Sequence, residues 1–137
     1  MNIPTSENAL LIRTDFSDQT AWKGLIAAAR EPGDIFIFNM EVVDDPANSG
    51  MTVEQLMAAL PEGYPHSFIV VADTAAFSQP DHPLLVVDLL EERGRQFRAV
   101  ASVISQIDSN LSIANMGFDE FAGLVDDSGV FRGIEGM

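Results

Sequence analysis

Cysteine is absent from the 137 residues. That removes disulfides, thiol nucleophiles and thiolate metal sites together. Positive charge is almost as scarce: seven Lys and Arg stand against 21 Asp and Glu, for a formal net charge of -14. A field of that sign repels nucleic acid backbones, whose binding depends on Lys and Arg, and it repels anionic membrane surfaces. No apolar run approaches the ~20 residues that cross a bilayer. Met1 to Asn8 hold neither a positive segment nor an apolar stretch, so no secretory leader is expected. No Gly-x-Ser-x-Gly and no glycine-rich phosphate loop occur in the sequence, which leaves no motif-borne nucleophile or nucleotide cradle. A cytoplasmic protein of bacterial type is the expectation, with no catalytic residue nominated and no cofactor.

The length and ordinary apolar share, 47%, fit one domain spanning 1–137, with about 1–8 peripheral. Area scaling predicts that folding removes roughly 14,000 Å² from water, enough for a core without staples.

The charge is unevenly placed. From Glu31 to Glu92 there are 12 acids and no Lys or Arg; Arg93, Arg95 and Arg98 then follow within six positions. An unneutralised acidic block therefore abuts a small arginine island. On a hairpin that island is expected to pair with Glu91 and Glu92, and exposed pairs of that kind contribute little.

Apolar runs predict strands within Ala9 to Phe16, Ile35 to Val43, Ser67 to Ala72 and Leu84 to Leu90, with Gln96 to Val100 returning as a hairpin. Trp22, Leu25, Ile26 and Ala29 recur at helical spacing, capped by Ser17 or Asp18 and stopped by Pro32-Gly33. Thr52-Val-Glu-Gln55 is a capping-box pattern ahead of Val53, Leu56, Met57 and Leu60. Asp73 to Pro83 reads as a loop holding one helical turn. Val100, Val103, Ile104, Ile107 and Leu111 predict a further helix, and Phe118, Phe121, Ala122 and Val125 the last. Val130 to Ile134 is read as an edge strand or a docked coil. The order β-α-β-α-β, then a hairpin and two helices, defines an α/β single-domain mixed sheet of about five strands.

Parallel strands bring their C-terminal ends to one edge, where open α/β folds bind ligands. Asp15, Asp44, Asp45 and Asp73 follow three such strands. Carboxylates meeting there would suit Mg²⁺ or Ca²⁺, and Asp is equally a favoured turn and cap residue. Arg13 interrupts a buried run and is expected to pair with an acid on a neighbouring strand. His66 and His82 each sit beside proline, match no metal spacing and are read as structural or solvated.

The segments Leu10-Leu-Ile-Arg-Thr-Asp-Phe-Ser-Asp18, Val43-Asp-Asp-Pro46, Tyr64-Pro-His-Ser-Phe68, His82-Pro-Leu-Leu-Val-Val-Asp-Leu89, Gly94-Arg-Gln-Phe-Arg98 and Asn110-Leu-Ser-Ile-Ala-Asn115 run through the chain. With Phe118-Asp-Glu-Phe121 they resemble a bacterial, largely actinobacterial, domain family of unknown function. The resemblance covers about Ala9 to Ile134 and implies one intact domain. It brings no activity, cofactor or catalytic residue. Gly117 stands where that family more often has an acid, so the last helix starts without a capping side chain.

Three functions remain in view. The first is a protein-binding module, of inhibitor or immunity type, that recognises a basic partner through Asp44, Asp45, Asp73, Asp81, Asp88, Glu91 and Glu92; acidic patches speed capture of basic partners. The second is a Mg²⁺- or Ca²⁺-dependent enzyme or sensor using Asp15, Asp44, Asp45 and Asp73. The third is an accessory domain whose charge serves solubility.

Overall fold

The fold was traced in a computed structural model that describes residues 3, 7–30, 38–112 and 117–133. Among the described residues six strands form one mixed sheet: β1 (Leu10–Arg13), β2 (Glu41–Val43), β3 (Phe68–Ala72), β4 (Pro83–Asp88), β5 (Gln96–Val100) and β6 (Val130–Phe131), in spatial order β2-β1-β3-β4-β5-β6. β1 runs parallel to β2 and β3, while β4 is antiparallel to both β3 and β5, and β6 lies parallel to β5. The expected mixed α/β sheet is present, with β6 as the sixth strand. β3 and β4 are joined by residues 73–82. That segment is shorter than the dozen or more residues a parallel crossover needs, so the chain turns back and β4 delivers its end to the opposite sheet edge.

Among the described residues five helices cover the sheet: α1 (Gln19–Arg30), α2 (Val53–Ala59), α3 (Thr74–Phe77), α4 (Ile104–Ser112) and α5 (Phe118–Ala122). Asp18 caps α1, its carboxylate accepting from the Ala21 amide at 2.9 Å. The capping box of α2 forms as the sequence predicts, with Thr52 Oγ1 accepting from Gln55 N (3.2 Å) and Gln55 Oε1 accepting from Thr52 N (2.9 Å). α5 begins at Gly117, whose amide donates to Glu120 Oε1 at 3.2 Å; glycine has no side chain to return the bond.

Alternation along the strands gives each sheet face its own core. On one face Leu11, Phe68, Val70, Val86 and Ala99 meet α1, α3, α4 and α5 through Trp22, Leu25, Ala76, Ile104 and Phe121. On the other, Leu10, Ile12, Ile69, Val71, Leu85 and Val87 meet α2 through the fully buried Leu56, with Met57, Leu60 and Tyr64 beside it. Truncating a residue so placed costs about 2–5 kcal/mol. Phe97 packs edge-on against Phe118 (4.9 Å between centroids), and Phe121 edge-on against Phe131 (5.2 Å). Those contacts fasten α5 and β6 to β5.

Several expected bounds shift. The second strand is confined to Glu41–Val43; Phe38 to Met40 lie outside it, and Ile35 to Ile37 fall outside the described residues. Pro32-Gly33, Glu31, Asp34 and Ile134 also fall outside them. The fourth strand ends at Asp88, not Leu90, because the Asp88 carboxylate draws the chain into a turn. The helix expected from Val100 starts as a 3-10 turn over Ala101–Val103 before α4. The last helix stops at Ala122, before Val125.

Candidate functional site

The C-terminal ends of β1, β2 and β3 do meet at one sheet edge, and their acids stand there. Each is already engaged. Arg13 is 2% exposed; its Nη1 lies 3.1 Å from Asp44 Oδ1 and 3.0 Å from Gln19 Oε1, and its Nε donates to the Asp15 carbonyl at 2.9 Å. The guanidinium also lies over the rings of Phe16 (4.3 Å) and Trp22 (4.8 Å). The expected buried pairing of Arg13 with an acid beside a neighbouring strand is what forms. Asp45 caps the 3-10 turn Pro46–Asn48 by accepting from Ala47 N. Asp15 accepts from the Ser17 hydroxyl and amide at 2.6 and 2.8 Å. Those two bonds, the largest causes, hold its carboxyl below the usual range, with Thr74 and Arg13 adding to the effect. Asp73 is clasped by Arg98 and caps α3. Asp81 pairs with Arg132, which also holds Asp126.

Among the described residues no group of three or more His, Asp or Glu is placed to hold a metal ion. Asp15, Asp44, Asp45 and Asp73 share an edge without forming a cation cage, because cap and ion-pair geometry aims each at a separate partner.

The expected partner surface is divided. Asp44, Asp45, Asp73 and Asp81 stand at that edge, whereas Asp88, Glu91 and Glu92 stand at the other, since Asp88 pairs with Phe68 at the start of β3. β3 has five residues, and at ~3.3 Å per residue the two edges lie about 17 Å apart. Asp88 is not a surface contact: it is 2% exposed, and its two oxygens accept from Leu90 N and Glu92 N, both at 2.9 Å. It shapes the turn from within.

The arginine island pairs differently from the expectation too. Arg95 pairs with Asp119, Arg98 with Asp73, and Arg93 makes a long 3.5 Å contact to the Met57 carbonyl. Glu91 and Glu92 are left exposed and form no ion pair among the described residues. Leu90 beside them is 73% exposed.

Two cavities flank this turn. The larger, about 560 Å³, lies between the Leu60–Ser67 segment and the turn, with Met57, Leu60, Glu62, His66, Leu90 and Arg93 in its lining. The smaller, about 220 Å³, lies toward α4 and α5, with Phe68, Asp88, Leu90, Glu91, Leu111 and Phe118 in its lining. Leu90 and Ser67 border both. His66 stands edge-on to Tyr64 at 5.2 Å, and its Nε2 is sealed from solvent without a hydrogen-bond partner among the described residues. His82 is held by its Nδ1, 3.1 Å from the Ala76 carbonyl. Both histidines stand apart from any metal cluster, among the described residues.

Leu90, Glu62 and the two cavities escaped the sequence reading, which assigned Leu90 to a strand. One signal was present: an apolar residue two places past Asp88 and directly before Glu91-Glu92-Arg93-Gly94 has no strand neighbour to cover it.

Fold and site together define a small mixed α/β domain with two cavities and the exposed Glu91 and Glu92 at one end of the sheet, and the paired Asp44, Asp73 and Asp81 at the other. The chain belongs to the family described as a domain of unknown function, DUF6924, which matches residues 8–134. No curated protein matches the sequence. No described helix is long and apolar enough to cross a membrane.

Proposed function

We propose that the protein is a binding module that recognises a basic protein partner through the Leu90–Glu92 turn, as an inhibitor or immunity protein would. One observation carries this reading: Leu90, 73% exposed, stands between two cavities and directly precedes two exposed carboxylates that form no ion pair among the described residues. An apolar anchor inside a polar rim is the anatomy of a binding hot spot. The net charge of -14 would speed encounter with a cationic surface. The acids of the other edge add to that field, but Arg13, Arg98 and Arg132 neutralise much of it locally. Asp44, Asp45, Asp73 and Asp81 therefore serve the fold first.

The test compares wild type with Leu90→Ser and with the double change Glu91→Lys, Glu92→Lys in affinity capture from the native lysate. Wild type should retain a basic polypeptide, with retention falling steeply as salt rises. Both variants should lose it while keeping the wild-type melting temperature. Retention that ignores salt, or survives both variants, would overturn the reading.

A further inference from the structure

We infer that the smaller cavity accepts one long basic side chain, lysine or arginine, from the partner. The inference rests on the binding-module reading and names its anchor. The cavity's volume, about 220 Å³, is below the ~300–1,000 Å³ typical of small-molecule sites. At ~30 Å³ per water it equals about seven waters, the scale of a single extended side chain. Its lining holds the apolar Phe68, Leu90, Leu111 and Phe118 and the acids Asp88 and Glu91; among the described residues no basic one lines it. An apolar lining beside an exposed carboxylate matches a methylene stem with a cationic head.

Glu91 gives the sharpest indication: it is exposed in the lining of this cavity and forms no ion pair among the described residues. Asp88, 2% exposed, adds a second negative charge behind it and has no cation beside it among the described residues. Its partners are two amides, one on each oxygen. Those bonds fix its negative charge behind the cavity, while the exposed Glu91 is the carboxylate an incoming cation would meet. The nearest own-chain candidate, Arg95, lies over the Phe118 ring at 5.7 Å but is committed to Asp119. At the rim Gly117 leaves the way open: a Cβ placed there would meet nothing within 4 Å. The larger cavity mixes Arg93 with Glu62 and selects no sign of charge.

The experiment titrates the ¹⁵N-labelled full chain with blocked tripeptides Ala-Lys-Ala, Ala-Arg-Ala, Ala-norleucine-Ala and Ala-Glu-Ala. Lys and Arg peptides should give saturable shifts at the amides of 88–92 and 117–118, with norleucine and Glu weaker by at least ~10-fold, the equivalent of 1.4 kcal/mol. Glu91→Gln, a surface change that leaves folding intact, should weaken the Lys peptide several-fold. Gly117→Leu, checked for a folded spectrum, should abolish its binding. Equal binding of norleucine, no saturation by Lys or Arg, or indifference to both variants overturns the inference. Capture of the partner that depends on Leu90 but survives Gly117→Leu would likewise overturn it, while leaving the binding-module reading standing.

Discussion

Arg98 grips Asp73 with both arms of its guanidinium: Nη1 lies 2.9 Å from Oδ1 and Nη2 2.8 Å from Oδ2. The same Asp73 caps α3 by accepting from Ala76 N, and the same Arg98 donates to the Pro83 carbonyl at 3.0 Å. One pair therefore joins β5, the start of β4 and the start of α3. Asp73→Ala removes a cap and a two-pronged charged bond, and should cost about 2–4 kcal/mol in urea unfolding. Arg98→Lys should recover only part of the loss seen in Arg98→Ala, because an ammonium cannot bridge both oxygens. Full recovery by lysine would show that charge alone matters.

Arg13 is almost wholly buried, while its partner Asp44 is 44% exposed. The asymmetry decides what each substitution leaves behind. Arg13→Ala opens a cavity against Phe16 and Trp22 and should cost about 3–5 kcal/mol. Arg13→Met refills that space with an apolar chain and releases Asp44 to water, so most of the stability should return. Equal midpoints for the two variants in urea would refute the argument.

Tyr64 is the single tyrosine of the chain. Its hydroxyl accepts from Leu10 N at 3.2 Å and donates to the Phe68 carbonyl at 3.0 Å. Burial is the largest influence and, with the charge of Asp108, pushes the phenol up to about 12; the Leu10 amide opposes them. Absorbance near 295 nm should therefore follow one transition centred near 12, displaced from the ordinary 10. The folded value exceeds the unfolded one, so this contribution is complete below pH ~10 and is lost as pH rises through about 12. Tyr64→Phe should lack that alkaline loss. A transition at 10 in the folded protein would contradict the burial.

Asp126 gathers the Ser128 hydroxyl (2.6 Å), the Arg132 guanidinium (2.7 Å) and the Val130 amide (3.1 Å). Ser128 foremost, then Arg132 and Val130, hold its carboxyl well below the usual 3.8. A depressed folded value means a contribution present above pH ~4 and lost as pH falls below it. Asp126→Asn should lower the urea midpoint at neutral pH and flatten its decline in acid. An unchanged acid decline would remove Asp126 from the account.

Much of the scaffold was legible because it is written in local patterns. The capping box at Thr52, the Trp22–Leu25–Ala29 face and the apolar runs of β1, β3 and β4 each occupy a few neighbouring residues. The direction of β4 was also available, since residues 73–82 are too few for a parallel crossover. The destinations of the arginines were not, because Arg95 and Arg98 find Asp119 and Asp73 far along the chain. Proximity in sequence to Glu91 and Glu92 pointed elsewhere. The split of the acids between two edges follows from the same cause: sequence counts charges along a line, while a returning strand sorts them to opposite poles.

The turn after β4 takes its shape from a carboxylate behind it rather than from the side chains at its tip. Residues 90–93 can consequently be rewritten, in sign or in size, without disturbing the fastening beneath. A scaffold of this kind separates what it keeps from what it presents.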